Sequence, residues 1–565
     1  MRAADFATIT EALDYAATCE TGVNIYSARG DLAEVLTYRE MRAQALVLGR
    51  RLLASGLLPG DRVALVAETD GDFIRAFFAC QYARLVPAPV PLPTPFGGRQ
   101  SYIEHVRRML QSSGARAALG PPALADWMRD AAEGLDLEIA GSLADLAEEP
   151  APGELPGADP DGLSYLQFSS GSTRFPLGVA VTHRALMANI FAIDNHGLKV
   201  RPDDRAVSWL PLYHDMGLIG FFLSPMAAQV SQDLLPTAAF VRRPLLWLDL
   251  ISRNRGTVSY SPTFGYELCA RRAESLSVEG LDLSAWRGAG IGGDMIRPQV
   301  LRAFAERFAP AGFRPEAFVA SYGMAEATLA LSFAPVGQGL RTETLDVDRL
   351  ERGQSAEPPP PGARRVREFA LCGPALPGHE LQVRGDAGQP LGEGQVGRIF
   401  ARGPSLMRAY FGQPEETQRA LSGDGWLDTG DLGYFSRGQI VITGRAKDLI
   451  IVNGRNVWPQ DLEWTAEAEA AALRSGDVAV FSVPGEGEET VVALVQCRTS
   501  DAEARERLRA DIAGYLRLRH GVETEVVLAP PHSLPRTSSG KLSRSRAKAM
   551  YQAGQFATDA ATVTA

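Results

Sequence analysis

A run of small hydroxyl residues and glycines, "SSGSTRFPLG" at 169–178, is the first stretch of this chain that could do chemistry. Backbone N–H groups in such a loop can surround an anion, and the hydroxyls of Ser169, Ser170, Ser172 and Thr173 add donors around Gly171. The GxxxxGK[ST] spacing of a Walker loop is absent, and position 177 is leucine, so Arg174 is the loop's one cation. Two readings stand on these residues alone: a phosphate cradle and an ordinary polar turn.

The surrounding pattern sets such a loop at a strand end. "RVALVAE" (62–68) reads as a buried strand, and "DFIRAFFACQYARL" (72–85) has apolar residues at helical spacing. "SYLQF" is a strand before the loop, and "HRALMANIFAI" a helix after it. "GTVSYSPTF" and "FVASYG" repeat the arrangement of a β-rich run ending in a small-residue turn. Strand–helix alternation predicts an α/β fold of layered sheets, with ligands at the strand ends. "AEEPAPGELPGADPDG" (147–162) and "SAEPPPPGARRVRE" (355–368) break the pattern as Pro-rich surface loops. Short strands with turns then predict a β-rich subdomain near 370–444. Strands, an amphipathic helix and a further strand predict a small α+β domain from 447 to 565, against a large N-terminal domain of residues 1–446.

Composition narrows the function classes. With 565 residues, 45% of them hydrophobic and 22% charged, the chain is globular and long enough for more than one domain. A formal net charge of −10 argues against nucleic acid as a partner. The cysteines at 19, 80, 269, 372 and 497 form no CxxC pair, so reduced thiols and a cytoplasmic protein are expected. No signal peptide is expected from "MRAADFATITEALDYAA", and "GLIGFFLSPMAAQV" is too short for a transmembrane segment.

Six further segments follow the loop in order: "WLPLYHDMGLIG" (209–220), "AGIGGDMI" (289–296), "SYGMAEAT" (321–328), "WLDTGDLG" (426–433), "ITGRAKDLIIVNGRNVWPQDLE" (442–463) and "LPRTSSGKLSR" (534–544). Together, over nearly the whole chain, they closely resemble the adenylate-forming superfamily of acyl-CoA synthetases, peptide-synthetase adenylation domains and luciferases. In wording they are most similar to the fatty acyl-AMP ligases. That resemblance implies ATP-dependent activation of a fatty acid as acyl-AMP. The acyl group then passes to the phosphopantetheine of a holo acyl carrier protein or a synthase carrier domain. The superfamily loop often reads TSGTTGxPKG; here Ser169, Arg174 and Leu177 replace its Thr, its later Gly and its Lys. Arg174 is then a candidate to neutralise the outgoing pyrophosphate.

The resemblance also implies site roles. Lys541 would reach the fatty carboxylate and α-phosphate, and Glu326 would hold Mg²⁺. Ala325 stands where the family has Thr, so one hydroxyl contact to the α-phosphate is missing or supplied elsewhere. Asp431 would accept hydrogen bonds from the ribose hydroxyls, with Arg445 beside it; a turn-forming aspartate is the plain alternative. Gly292, Gly293, Ser321, Tyr322, Gly323 and Met324 would line the nucleotide, Tyr322 by stacking on the base. His214 would sit where the carboxylate meets the acyl tunnel, lined by "SPTFGYEL" (261–268) with Thr263 and Phe264, although the aromatics of that segment could equally be core. Lys447 would be the hinge between two domain orientations. The long segment 334–368 would be a ligase-specific insert, or a disordered surface loop. An acyl-CoA synthetase using free CoA and a non-catalytic adenylate-binding protein are the competing readings.

Overall fold

A strand of five apolar-rich residues, Arg62–Val66, leads to the helix Gly71–Tyr82, whose N-cap Asp70 accepts a hydrogen bond from the Phe73 N–H. In the computed structural model, which describes residues 2–93, 98–168, 176–274, 278–452, 454–484, 489–537 and 542–556, this unit belongs to a four-stranded parallel sheet. Its order is Val86–Val90, Arg62–Val66, Ala115–Leu119, Ile139–Gly141. A second sheet has eight strands, in the order Ala330–Phe333, Phe318–Gly323, Gly288–Ile291, Val258–Ser261, Arg205–Ser208, Ser231–Leu234, Gly22–Tyr26, Leu32–Thr37. Its interior pairs are parallel and both edges are closed by an antiparallel strand. The layered α/β architecture is the one the alternation predicts.

The large sheet is fixed by an aromatic core. Trp209 stacks on Phe240 with ring centroids 3.8 Å apart, and Trp247 meets Trp286 edge-on at 5.2 Å. Trp209 opens the "WLPLYHDMG" segment, so core packing anchors the chain just ahead of His214.

A four-stranded antiparallel sheet comes next, ordered Glu380–Arg384, Gly397–Arg402, Leu427–Ser436, Gln439–Arg445. Beyond it, the strands Val478–Pro484, Glu489–Gln496 and Thr524–Ala529 form a sheet covered by the helices Pro459–Glu469 and Ala502–His520. Ile450, Leu462, Val478, Val491, Val495 and Ile512 share a core drawn from this C-terminal region itself. The fold is therefore a larger N-terminal domain and a smaller C-terminal region.

Segment 334–368 is not a structureless loop. Thr342–Asp346 pairs antiparallel with Val366–Ala370, and the helix Val347–Gly353, capped by Asp346, fills the space between. The proline run conceals a strand that begins only after it.

One buried group gives a stability prediction. Asp194, 3% exposed, lies in a π-helical turn, Ile193–Gly197, and accepts from Ser224 Oγ at 2.5 Å; its Oδ2 has no hydrogen-bond partner among the described residues. Burial pushes its carboxyl up to about 8. A carboxyl raised in the folded state holds its proton there while the unfolded chain loses it, so stability falls as pH rises from about 4 to about 8, by at most ~1.4 kcal/mol per pH unit. In Asp194→Asn this contribution is absent. Thermal midpoints recorded from pH 5 to 8 are expected to decline more steeply for the wild type than for the variant; parallel curves would refute the assignment.

Candidate active site

Asp431 lies within a strand, not in a turn. Between the pairs Phe400↔Asp428 and Arg398↔Leu432, one residue on the first strand faces three on the second, so Thr429, Gly430 and Asp431 form a bulge. Gly430 has φ +71°, which a side-chain-bearing residue adopts with strain. The bulge is pinned by Thr429 Oγ1 donating to Ile399 O at 2.8 Å and by the Asp431 N–H donating to Thr429 Oγ1 at 3.2 Å. It re-aims a carboxylate that is itself 6% exposed. Tyr322 Oη donates to Asp431 Oδ2 at 2.9 Å, and Arg445, its cross-strand partner, brings Nε to 3.2 Å from Oδ1. Tyr322, Asp431 and Arg445 thus form one cluster.

The glycines proposed beside the nucleotide have different structural reasons. Gly323 is demanded by strand pairing, since a Cβ there would lie 1.8 Å from Leu329 O. A Cβ on Gly292 would come within 2.9 Å of Ser321 Oγ, which donates to Ile291 O. Gly293 is exposed with φ +81° and leaves the backbone bare at the end of Gly288–Ile291.

Glu326 sits in the 3-10 turn Ala325–Ala327, directly after Met324 and the strand Phe318–Gly323. Tyr410 Oη donates to its Oε1 at 2.8 Å. Burial pushes its carboxyl above the usual range, an effect that the Tyr410 hydroxyl and the charge of Arg445 partly offset. Asp215 also lies within electrostatic reach of Glu326. His214, the residue before it, caps the short helix Asp215–Leu218, with Nδ1 2.6 Å from Asp215 Oδ1. Gln167, the second residue ahead of the hydroxyl-rich loop, donates to Tyr213 O at 2.7 Å, tying that strand end to the His214 turn.

Thr263 is fully buried, with its N–H donated to Asp294 Oδ1 at 3.1 Å and its hydroxyl to Met295 O at 3.3 Å. Phe264 packs edge-on against Trp209 at 5.8 Å. Thr263 therefore adjoins the turn that follows Gly293, and Phe264 the aromatic core. Lys447 is exposed in the turn Ala446–Asp448, within electrostatic reach of Asp431 and Glu326. Ser169, Ser170, Gly171, Ser172, Thr173, Arg174 and Lys541 lie outside the described residues.

Two groups went unseen in the motifs. Tyr410 sits in "LMRAYFG", which has no periodic signal, and its partner Glu326 is 84 positions away. Arg367 and Asp461 form an ion pair of 2.8 Å with both side chains nearly buried. It joins the strand Val366–Ala370 to the helix Pro459–Glu469 beyond Lys447.

Comparison with known proteins places the chain in a family. Residues 16–411 match the AMP-binding enzyme family. A Caulobacter vibrioides protein provisionally named an acyl-CoA synthetase is 63% identical over 98% of this chain and 97% of its own length. A medium-chain-fatty-acid–[acyl-carrier-protein] ligase of Moorena producens is 31% identical, covering 97% of this chain and 96% of its own. A structure from a study of fatty acyl-adenylate ligases of E. coli and L. pneumophila superposes with a TM-score of 0.94 and 45% identity over 99% of this chain and 100% of that one. By its matched family, its full-length relatives and its fold, this chain belongs to the AMP-binding enzymes.

Proposed function

We propose that the chain is a fatty acyl-AMP ligase: it activates a fatty acid as an acyl-adenylate and passes the acyl group to the phosphopantetheine thiol of a carrier protein or synthase carrier domain. A fatty carboxylate oxygen attacks the ATP α-phosphorus, the bond to the β-phosphate oxygen breaks, and pyrophosphate leaves. The thiolate sulfur then attacks the acyl carbon and AMP departs. Both reactants of the first step are anionic, so alignment and charge compensation are what the protein must supply. The single observation that carries the nucleotide side is the buried Tyr322–Asp431 pair, faced by the exposed guanidinium of Arg445, beside Glu326. The solved fatty acyl-adenylate ligase, matched over the whole chain, supports the acyl class.

Glu326 fits a Mg²⁺ site. Its carboxylate is held by a neutral hydroxyl and raised by burial, a state that a cation relieves. Among the described residues no group of three or more His, Cys, Asp or Glu converges on a metal position. One carboxylate with ATP phosphates is the arrangement Mg²⁺ commonly takes. Bound there, the ion would supply positive charge beside the phosphates, while Asp431 and Arg445 hold the ribose side.

The insert supports a carrier protein over free CoA. Besides the Arg367–Asp461 pair, Glu351 of the helix Val347–Gly353 pairs with Arg365 at 2.6 Å and with Arg455 at 3.3 Å. Arg367 also lies over the rings of Phe369 at 4.3 Å and Trp464 at 5.4 Å. Two ion pairs therefore tie segment 342–370 to residues beyond Lys447, and rotation about that hinge must break them. A carrier protein brings its own binding surface to offset that cost, which CoA does not. The name of the Caulobacter relative favours the second reading, an acyl-CoA synthetase.

One assay separates the two. The enzyme is incubated with ATP, Mg²⁺ and fatty acids of graded length, and acyl-AMP is followed after adding CoA or holo carrier protein. Acyl-AMP is expected to persist with CoA and to be consumed with the carrier; efficient acyl-CoA formation by the wild type would establish the synthetase instead. Replacing the buried pair by apolar residues of similar size, Arg367→Met with Asp461→Leu, avoids stranding a buried charge. That double variant is expected to raise CoA-dependent consumption about tenfold, the scale of a modest interdomain coupling, with pyrophosphate release unchanged. No gain with CoA would remove the insert from the gate.

A further inference from the structure

Glu326 is held in an unusual turn. Thr328, two residues on, has φ +69° and ψ −62°, a conformation that β-branched residues rarely adopt. The turn is fastened at four points to one short segment. Thr328 Oγ1 donates to Ser405 O at 2.7 Å, Ser405 Oγ donates to Ala327 O at 3.1 Å, and the Met407 N–H donates to Glu326 O at 2.8 Å. Tyr410 Oη then donates to Glu326 Oε1 at 2.8 Å. Ser405 is itself held by His379 Nε2 at 2.6 Å.

The same segment reaches the other half of the phosphate region. Ala409–Tyr410 pairs antiparallel with Gly178–Thr182, the strand that leaves the hydroxyl-rich loop, in the register Ala409↔Ala180 and Tyr410↔Val179. The Phe411 N–H donates to Gly178 O at 2.7 Å, and the Arg408 N–H to Ala180 O at 2.9 Å. A residue serving only the core would not need its hydroxyl on this carboxylate. The Tyr410 hydroxyl is the one side-chain hydrogen-bond donor to Glu326 among the described residues. It fixes one carboxylate oxygen relative to the strand next to the phosphate loop.

We propose that Tyr410 is a positioning residue for the divalent-cation site: its hydroxyl holds the Glu326 carboxylate in the orientation that receives the metal ion accompanying ATP. This rests on the reading of Glu326 as a metal ligand. Without the hydroxyl the carboxylate can rotate, and the ion must select the competent orientation from several, which lowers its affinity.

The test uses the full chain and Tyr410→Phe, which keeps the ring and the backbone pairing. Mn²⁺ binding in the presence of α,β-methylene-ATP is measured by electron paramagnetic resonance for wild type, Tyr410→Phe and Glu326→Gln. Mg²⁺ titrations of pyrophosphate release are run alongside. Glu326→Gln is expected to lose most Mn²⁺ affinity. Tyr410→Phe is expected to weaken it 5- to 20-fold and to raise half-saturating Mg²⁺ in proportion, with activity largely regained at excess Mg²⁺. Consumption of supplied acyl-AMP by a carrier should be unchanged. If Glu326→Gln loses Mn²⁺ but Tyr410→Phe binds it like the wild type, the positioning role is overturned and the metal reading survives. If Glu326→Gln also binds normally, both fall. A lowered thermal midpoint in Tyr410→Phe with unaltered Mn²⁺ affinity likewise overturns the proposal, since it marks a structural hydroxyl.

Discussion

Lys541→Ala is expected to slow acyl-AMP formation about 10²–10³-fold, the scale for removing one preorganised charge contact from a transition state, while transfer of a supplied acyl-AMP to a carrier protein continues. The demand for a cation is chemical. Attack of a carboxylate on a phosphate brings two anions together, and the hydroxyl-rich loop carries leucine at 177 where a lysine could have served. Lys541, in "SSGKLSR", is the candidate the resemblance supplies. The last residue of that segment is anchored. Arg544 bonds Asp448 at 2.9 Å, next to Lys447, the proposed hinge, and Glu463 at 2.6 Å on the helix Pro459–Glu469. Arg544 is therefore tied to the residue after Lys447, the position proposed as the hinge, which suits a lysine that would serve one orientation of the small domain. Pyrophosphate release reports the first half-reaction, and loss of supplied acyl-AMP in the presence of holo carrier reports the second. Equal loss in both, with an unchanged thermal midpoint, would refute a lysine reserved for adenylation.

The fold was legible where local pattern and tertiary environment agree. The strand Arg62–Val66 and the helix after it show as an apolar run and a helical period because each buries a definite face. Sheet order was not legible. The strand Gly22–Tyr26 pairs with Ser231–Leu234, about two hundred positions away, and no local preference encodes that choice. The site divides in the same way. Asp431, Arg445 and Glu326 stand in recognisable motifs, but the reason Asp431 is buried and aimed is a bulge set by its register against Arg398–Phe400. Tyr410 was hidden because a single hydroxyl has no periodicity. The insert looked structureless because four consecutive prolines, at 358–361, mask the strand pairing on either side of them.

Asp431→Asn should weaken ATP binding about 10- to 100-fold, corresponding to roughly 1.5–3 kcal/mol for hydrogen bonds to a charged group. The sequence alone suggests that Asp431→Ala would serve equally and leave the ligand-free protein unaltered, but the structure changes that expectation. The carboxylate accepts the Tyr322 hydroxyl at 2.9 Å and faces Arg445 at 3.2 Å, and both Tyr322 and Asp431 are nearly buried. Alanine would strand the Tyr322 hydroxyl, at a cost of about 1–3 kcal/mol in stability. It would therefore lower the thermal midpoint and ATP affinity together, for separate reasons. Asparagine keeps an acceptor oxygen for Tyr322 and removes the charge that Arg445 meets and that ribose hydroxyls would meet. The two variants thus separate the aspartate's structural work from its ligand work. Asn should lose ATP affinity with a midpoint close to that of the wild type, whereas Ala should lose both. Tyr322→Phe supplies the third corner: combined with Asp431→Ala it leaves no stranded hydroxyl and should restore part of the stability but none of the affinity. Calorimetric ATP binding and ligand-free thermal melts decide the matter. An Asn variant that binds ATP like the wild type would reduce Asp431 to a residue that holds its bulge.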